Sequence, residues 1–124
     1  MKTIATENAP KAIGPYSQAV CANGFLFVSG QLGVDPVSGT FVAGGLKEQT
    51  KQCLTNAQAI IEAAGLSMSQ VVKATVLLAD MNDFAGMNEV YATFFQEPFP
   101  ARMAFQAARL PKDALVEIDL IVAK

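Results

Sequence analysis

The sequence predicts an α+β fold in which two helices cover one face of a roughly six-stranded sheet. Three observations carry that expectation. Asn23-Gly24 separates two short runs of strand character, and apolar residues from Leu46 to Ala64 recur at helical spacing. Beyond that helix the pattern runs strand, helix, strand, strand, with turn-forming residues between the segments.

An N-terminal strand precedes a hairpin made of Gln18 to Ala22 and Phe25 to Ser29. Asn-Gly readily takes positive φ at both central positions of a type I′ turn, whose twist matches that of the flanking strands. Gln31 to Gly45 reads as a loop with its own turn at Asp35-Pro36-Val37-Ser38-Gly39. In the first helix Leu46, Thr50, Cys53, Leu54, Ala57, Ile60, Ile61 and Ala64 share a face, and Gly65 suits the C′ position. Val71 to Ala79 is too short and too β-branched for another helix and reads as a mostly buried strand. Asp83 is the expected N-cap of a second helix with the stripe Phe84, Met87, Tyr91, Phe94 and Phe95, stopped by Pro98 and Pro100. Asn88 interrupts that stripe; an amide on a buried face needs partners, so it is either a structural tie or a ligand contact. The last strands, Arg102 to Ala108 and Leu115 to Val122, are joined across Leu110-Pro111-Lys112-Asp113 and are expected to be neighbours. In the final strand Val116, Ile118, Leu120 and Val122 point one way, while Leu115, Glu117, Asp119 and Ile121 point the other.

A chain of 124 residues is expected to form a single domain, 1–124. Hydrophobic residues make up 52% and charged ones 16%, which is little charge for a small chain, so some apolar surface is expected to face another subunit. The sheet face without helices is the natural place, with cyclic symmetry. A net charge of -2 and a pI near 5.0 supply no basic stripe, which disfavours a binder of phosphate backbones. Cys21 and Cys53 form no C-x-x-C pair and there is no histidine, so a structural metal is not expected and both thiols read as small buried hydrophobes. The N-terminal stretch lacks the apolar core of a signal peptide, and the longest uncharged apolar run, Ala74 to Ala79, falls far short of a membrane span. A cytoplasmic protein is the expectation.

Pro100-Ala101-Arg102 and Val116-Glu117-Ile118 place a guanidinium and a carboxylate on the two C-terminal strands. Without imidazole, neutral-pH chemistry falls to carboxylate, phenol, thiol, amine or bound water. Arg102 offers a rigid fork that matches a carboxylate, although alone it reads more readily as a surface residue at a strand start. Glu117 alone reads as a solvated or ion-paired side chain, yet between valine and isoleucine burial would raise its pKa. Gly44-Gly45 reads as a flexible lead into the first helix rather than an anion cradle, and Arg109 as structural.

Several segments together resemble the RidA/YjgF family of enamine/imine deaminases. They are Ala12 to Ala19 (AIGPYSQA), Phe27 to Gln31 (FVSGQ), Asn88 ahead of Tyr91-x-x-Phe94-Phe95, Phe99 to Arg102 (FPAR), Ala108 to Pro111 (ARLP) and Val116 to Ile118 (VEI). The likeness runs in order from about Ala12 to Ala123. It implies a chorismate-mutase-like α+β fold, the YjgF fold, with a six-stranded mixed sheet carrying two helices on one face. It also implies a homotrimer with sites in the clefts between subunits. The implied activity is hydrolysis of 2-imino acids, 2-iminobutanoate and 2-iminopropanoate, that pyridoxal-phosphate enzymes release. The products are 2-oxo acids and ammonia, and no cofactor or metal takes part.

Carried over residue by residue, the family's carboxylate-binding arginine falls on Arg102 and its water-holding glutamate on Glu117. Tyr16 falls on the tyrosine that closes over substrate, Ser29 on a pocket serine and Asn88 on the helix asparagine nearby. Ala104 falls on a position whose backbone amide and carbonyl face ligand and water, where many relatives carry cysteine. Met103 is larger than the small residue usual after the arginine, a departure that bears on substrate size more than on activity. Two rivals remain at this point. One is a non-catalytic trimer that captures small carboxylates or keto acids, and the other is an RNA-directed ribonuclease or translation inhibitor, an activity ascribed to some relatives.

Overall fold

The computed structural model describes residues 1–124, with two α-helices packed on one face of a six-stranded mixed sheet. The strands are β1 (Lys2–Ile4), β2 (Ala19–Ala22), β3 (Phe25–Leu32), β4 (Val71–Leu78), β5 (Ala101–Gln106) and β6 (Val116–Ala123). The helices are α1 (Leu46–Ala63) and α2 (Phe84–Tyr91). The strands lie in the order β1-β2-β3-β6-β4-β5, and all neighbours are antiparallel except β4 and β5.

Local chemistry accounts for most elements. Asn23 and Gly24 take φ of 52° and 80°, closing the expected tight hairpin with Ala22 opposite Phe25. α1 buries Thr50, Cys53, Leu54, Ala57, Ile60 and Ile61 from the expected stripe. Its end closes with the Leu66 N–H donating to Ile61 O at 3.1 Å and the Gly65 N–H donating to Glu62 O at 2.9 Å, which satisfies carbonyls the helix leaves open. In the loop before α1, the Asp35 carboxylate accepts from the Val37 and Ser38 N–H groups, fixing the turn expected there.

The structure departs from the sequence expectations at five places. β5 and β6 are not neighbours, because β5 runs parallel to β4 and the chain crosses over to insert β6 between β3 and β4. The second helix stops at Tyr91, where its last turn tightens into Thr93 N–H to Val90 O and Phe94 N–H to Tyr91 O bonds. Its approach is capped by Asp80, whose carboxylate accepts from the Asn82 N–H at 2.8 Å, whereas Asp83 makes no capping bond. β3 continues past Ser29 to Leu32, with a register shift between Val28 and Gln31, and β4 is buried along one side only.

One core joins the elements on the helix side. Leu26 and Val28 of β3, Ala74, Val76 and Leu78 of β4, and Val116, Ile118, Leu120 and Val122 of β6 meet the α1 stripe together with Met87 and Tyr91 of α2. Two buried polar residues of α1 were not foreseen. Asn56 Nδ2 donates to Leu32 O at 3.2 Å and to Val34 O at 2.9 Å, and Gln49 Oε1 accepts from the Leu115 N–H at 3.0 Å. They pin the end of β3 and the start of β6, the segments that flank Glu117. The other sheet face carries no helix, and Phe25, Phe27, Met103 and Phe105 stand exposed there. Cys21 and Cys53 are buried free thiols, and no helix is long and apolar enough to cross a membrane.

Candidate functional site

Glu117 lies in the middle of the sheet, opposite Leu32 of β3 and Leu77 of β4, on the face without helices. The bulge in β3 makes room for it. A Cβ on Gly30 would fall 2.5 Å from Glu117 Oε2 and 3.0 Å from Cδ, so the carboxylate lies directly against the strand because that residue has no side chain. Burial, and secondarily the charge of Asp119, push the Glu117 pKa above its ordinary value. Such a carboxylate releases and takes up a proton nearer neutrality than an exposed one.

Tyr16, Ser29, Gly30, Leu32, Lys112 and Glu117 line a cleft of about 480 Å³. The segment carrying Tyr16 is fastened on its C-terminal side. Buried Gln18 accepts from the Thr6 N–H at 2.7 Å and donates to Thr6 O at 3.1 Å and Pro10 O at 2.8 Å. Ser29 Oγ donates to Ser17 O at 2.6 Å, and the Ser29 N–H donates to Gln18 O at 2.9 Å. Ser29 therefore ties the Tyr16 segment to β3 while also lining the cleft. Tyr16 stays 52% exposed at the cleft mouth. Arg109 donates to Asp113 through Nε at 2.8 Å and Nη2 at 3.2 Å, an exposed pair across the turn that carries Lys112.

Arg102 lies elsewhere. β5 pairs Arg102 with Ala74 and Ala104 with Val76, and since Ala74 and Val76 belong to the core, Arg102 and Ala104 lie on the helix side. Arg102 Nη1 donates to Asn88 Oδ1 at 2.6 Å, and its Cζ sits 4.8 Å from the Tyr91 ring centroid and 5.5 Å from that of Phe84. The interruption that Asn88 makes in the α2 stripe is thus a tie to the guanidinium. Asn88, Tyr91, Phe99, Pro100 and Arg102 border a second, shallower hollow of about 400 Å³. β5 is the last strand, so its outer backbone edge has no partner within the chain.

The structure therefore gathers Tyr16, Ser29 and Glu117 around one cleft and Arg102 and Asn88 around another, with Ala104 beside Arg102 on β5. Glu117 and Arg102 point to opposite faces of the sheet with β4 between their strands, and one chain does not bring them together. Gly30 was missed as a site residue. A glycine inside an alternating strand run signals a close approach, but nothing local says which side chain approaches. Tyr91 was read only as core.

Residues 6–124 match the protein family described as Endoribonuclease L-PSP. A RutC family protein of Pyrococcus horikoshii is 58% identical over 99% of this chain and 98% of that one. The 2-iminobutanoate/2-iminopropanoate deaminase of Bos taurus is 55% identical over 99% of this chain and 90% of that one. The crystal structure of RidA from the Antarctic bacterium Psychrobacter sp. PAMC 21119 has the same fold, with a TM-score of 0.96 at 47% identity, covering 100% of both chains.

Proposed function

The chain belongs to the Endoribonuclease L-PSP family, the family of the YjgF and RidA proteins, and from that premise we propose that it is an enamine/imine deaminase. Its substrates are 2-iminobutanoate and 2-iminopropanoate, released by pyridoxal-phosphate enzymes in the cytoplasm, and its products are the 2-oxo acids and ammonia. The observation that supports this most is the division of charge across the sheet. A carboxylate with raised pKa waits in a cleft on the open face, and an oriented guanidinium waits at the free edge of the same sheet. In this proposal the chain is a homotrimer, and Arg102 of one copy completes the Glu117 cleft of the next. The exposed Phe25, Phe27, Met103 and Phe105 on the open face support such an association.

Arg102 then grips the carboxylate of the imino acid with two N–H groups and sets the imine carbon over a water held by Glu117. With the imine protonated on nitrogen, the water oxygen bonds to that carbon, the C=N π pair moves to nitrogen, Glu117 takes the proton that leaves the water, and a tetrahedral amino alcohol forms. Glu117 returns that proton to nitrogen, then takes the hydroxyl proton as the oxygen lone pair closes the carbonyl, the C–N bond breaks and ammonia departs. Glu117 then passes its proton to ammonia or solvent. Imino acids hydrolyse in water unaided, so positioning plus one general base, roughly 10²- to 10⁴-fold for the base alone, suffices. A chain without histidine is adequate for that task.

The test is 2-oxobutanoate formation from L-threonine by purified threonine dehydratase, with semicarbazide trapping free imine. The native chain is expected to accelerate oxo-acid release over trapping, and Arg102→Ala to abolish the acceleration while its oligomeric state survives. Full activity in Arg102→Ala, or none in the native chain, sinks the proposal. The family description names an endoribonuclease, which supports a second reading directed at RNA. A net charge of -2 weighs against it, and RNA cleavage by the native chain at low salt would revive it.

A further inference from the structure

The geometry points to Tyr91 as the positioning residue for Arg102, its ring setting the plane of the guanidinium so that the free side of the fork meets a substrate carboxylate. This rests on the imine-hydrolysis proposal above. Arg102 springs from an edge strand whose residues are exposed almost throughout, and nothing in the backbone there restricts a side chain with so many rotamers. An arginine left to itself would spend little time in any one orientation.

Two kinds of contact restrain it. Asn88 Oδ1 takes one N–H at 2.6 Å, which fixes one corner of the guanidinium but leaves its plane free to turn about that bond. The Tyr91 ring, 4.8 Å from Cζ, supplies a broad electron-rich face that a flat cation covers, and Phe84 at 5.5 Å closes the flank. Together they leave the far side of the fork open toward the hollow beside Phe99 and Pro100.

Tyr91 is itself a rigid platform. It is 6% exposed, and its ring lies 4.6 Å from that of Phe95. Its hydroxyl is buried and makes no hydrogen bond within the chain, so a phenylalanine keeps the ring face that meets Arg102. The part of Tyr91 that meets a functional group is the face of the ring. Tyr91 meets Arg102 through its ring face, so its effect is read through the guanidinium.

Calorimetric titration with 2-oxobutanoate and with 2-oxobutanamide, which lacks the charged carboxylate, measures how well Arg102 selects for that charge. Tyr91→Leu is expected to reduce the ratio of the two affinities roughly 3- to 30-fold, with amide binding nearly unchanged. Tyr91→Phe, which keeps the ring, should restore most of the ratio. A merely structural Tyr91 would weaken both ligands together, and a native ratio in folded Tyr91→Leu overturns the inference. Should Tyr91→Leu fail to fold, Phe84→Leu on the less buried flank is expected to lower the ratio about 2- to 4-fold, and an unchanged ratio there overturns it equally. A native chain with no affinity for 2-oxobutanoate removes the functional proposal and this inference with it. A native preference for the carboxylate that survives Tyr91→Leu removes the inference alone.

Discussion

Glu117 and Arg102 carry opposite charges on one sheet, and they are held by opposite means. Glu117 sits on a central strand between β3 and β4, where ladder register and the bulge at Gly30 place it. Arg102 sits on an edge strand, where three side chains of α2 place it. A position inside a ladder is fixed by many backbone bonds that no single substitution removes, whereas an edge side chain is only as fixed as its few contacts. Damage around Glu117 should therefore strike turnover, and damage around Arg102 should strike binding and orientation.

The largest expected effect separates these two roles. Glu117→Gln keeps shape and removes the base, so kcat should fall roughly 10²- to 10⁴-fold while 2-oxobutanoate binding changes little. A variant that turns over normally breaks the comparison, and one that loses only affinity favours the non-catalytic carboxylate binder. Mixing sharpens it further. If each site takes Arg102 from one copy and Glu117 from another, refolding Arg102→Ala together with Glu117→Gln should rescue activity that neither has alone, to about a quarter of native for random assembly. Mixed oligomers with no rescue would sink the shared site, since one chain does not bring the two groups together.

A pair of glycines tests whether the Glu117 side is shaped for function or for folding. A Cβ on Gly30 meets the Glu117 carboxylate at 2.5 Å, the mobile end of a side chain, so Gly30→Ala should displace the carboxylate and cost about tenfold or more in kcat with under about 1 kcal/mol of stability. A Cβ on Gly33 meets Gln49 Cα at 2.6 Å, which is helix backbone that cannot step aside. Gly33→Ala should lose about 1–3 kcal/mol in denaturant titration, and it should affect turnover only through the folded fraction. Equal stability losses in the two variants would contradict the distinction.

How far the site could be read from sequence follows the same division. The Asn23-Gly24 hairpin and α1 were legible because turn chemistry and a 3.6-residue period are local signals. The individual strand containing Glu117 was legible too, including which residues share its faces. The insertion of β6 between β3 and β4 was not, since strand order is decided by pairings far apart in the chain. With it went the relation of Arg102 to Glu117, which depends on Arg102 facing Ala74 while Glu117 faces Leu77 across the intervening strand. Asp80 and Asp83 look alike as caps, and only backbone conformation separates them, Asp80 being extended at φ -150° and Asp83 not. Asn88 illustrates the intermediate case. Its polarity on an apolar stripe announced that it had a partner, and the identity of the partner required the fold.

The smallest expected effect is on pH dependence, and it carries two signs that must agree. Burial first and Asp119 second raise the Glu117 pKa, and the ionised form is the one that accepts the proton, so kcat/KM should fall as pH drops through that raised pKa. Asp119→Asn removes the second cause, and the acid limb of the profile should move to lower pH. Stability runs the other way. A carboxyl whose pKa is higher in the folded chain than in the unfolded one favours folding when protonated, and that contribution is lost as pH rises through the folded value. Glu117→Gln, which never ionises, should therefore melt above the native chain at alkaline pH, with the gap closing as pH falls below the raised pKa. A gap that is independent of pH would mean that the carboxylate sits in a solvated environment, and the contrast between a Glu117 set into the sheet and an Arg102 held at its edge would lose its electrostatic half.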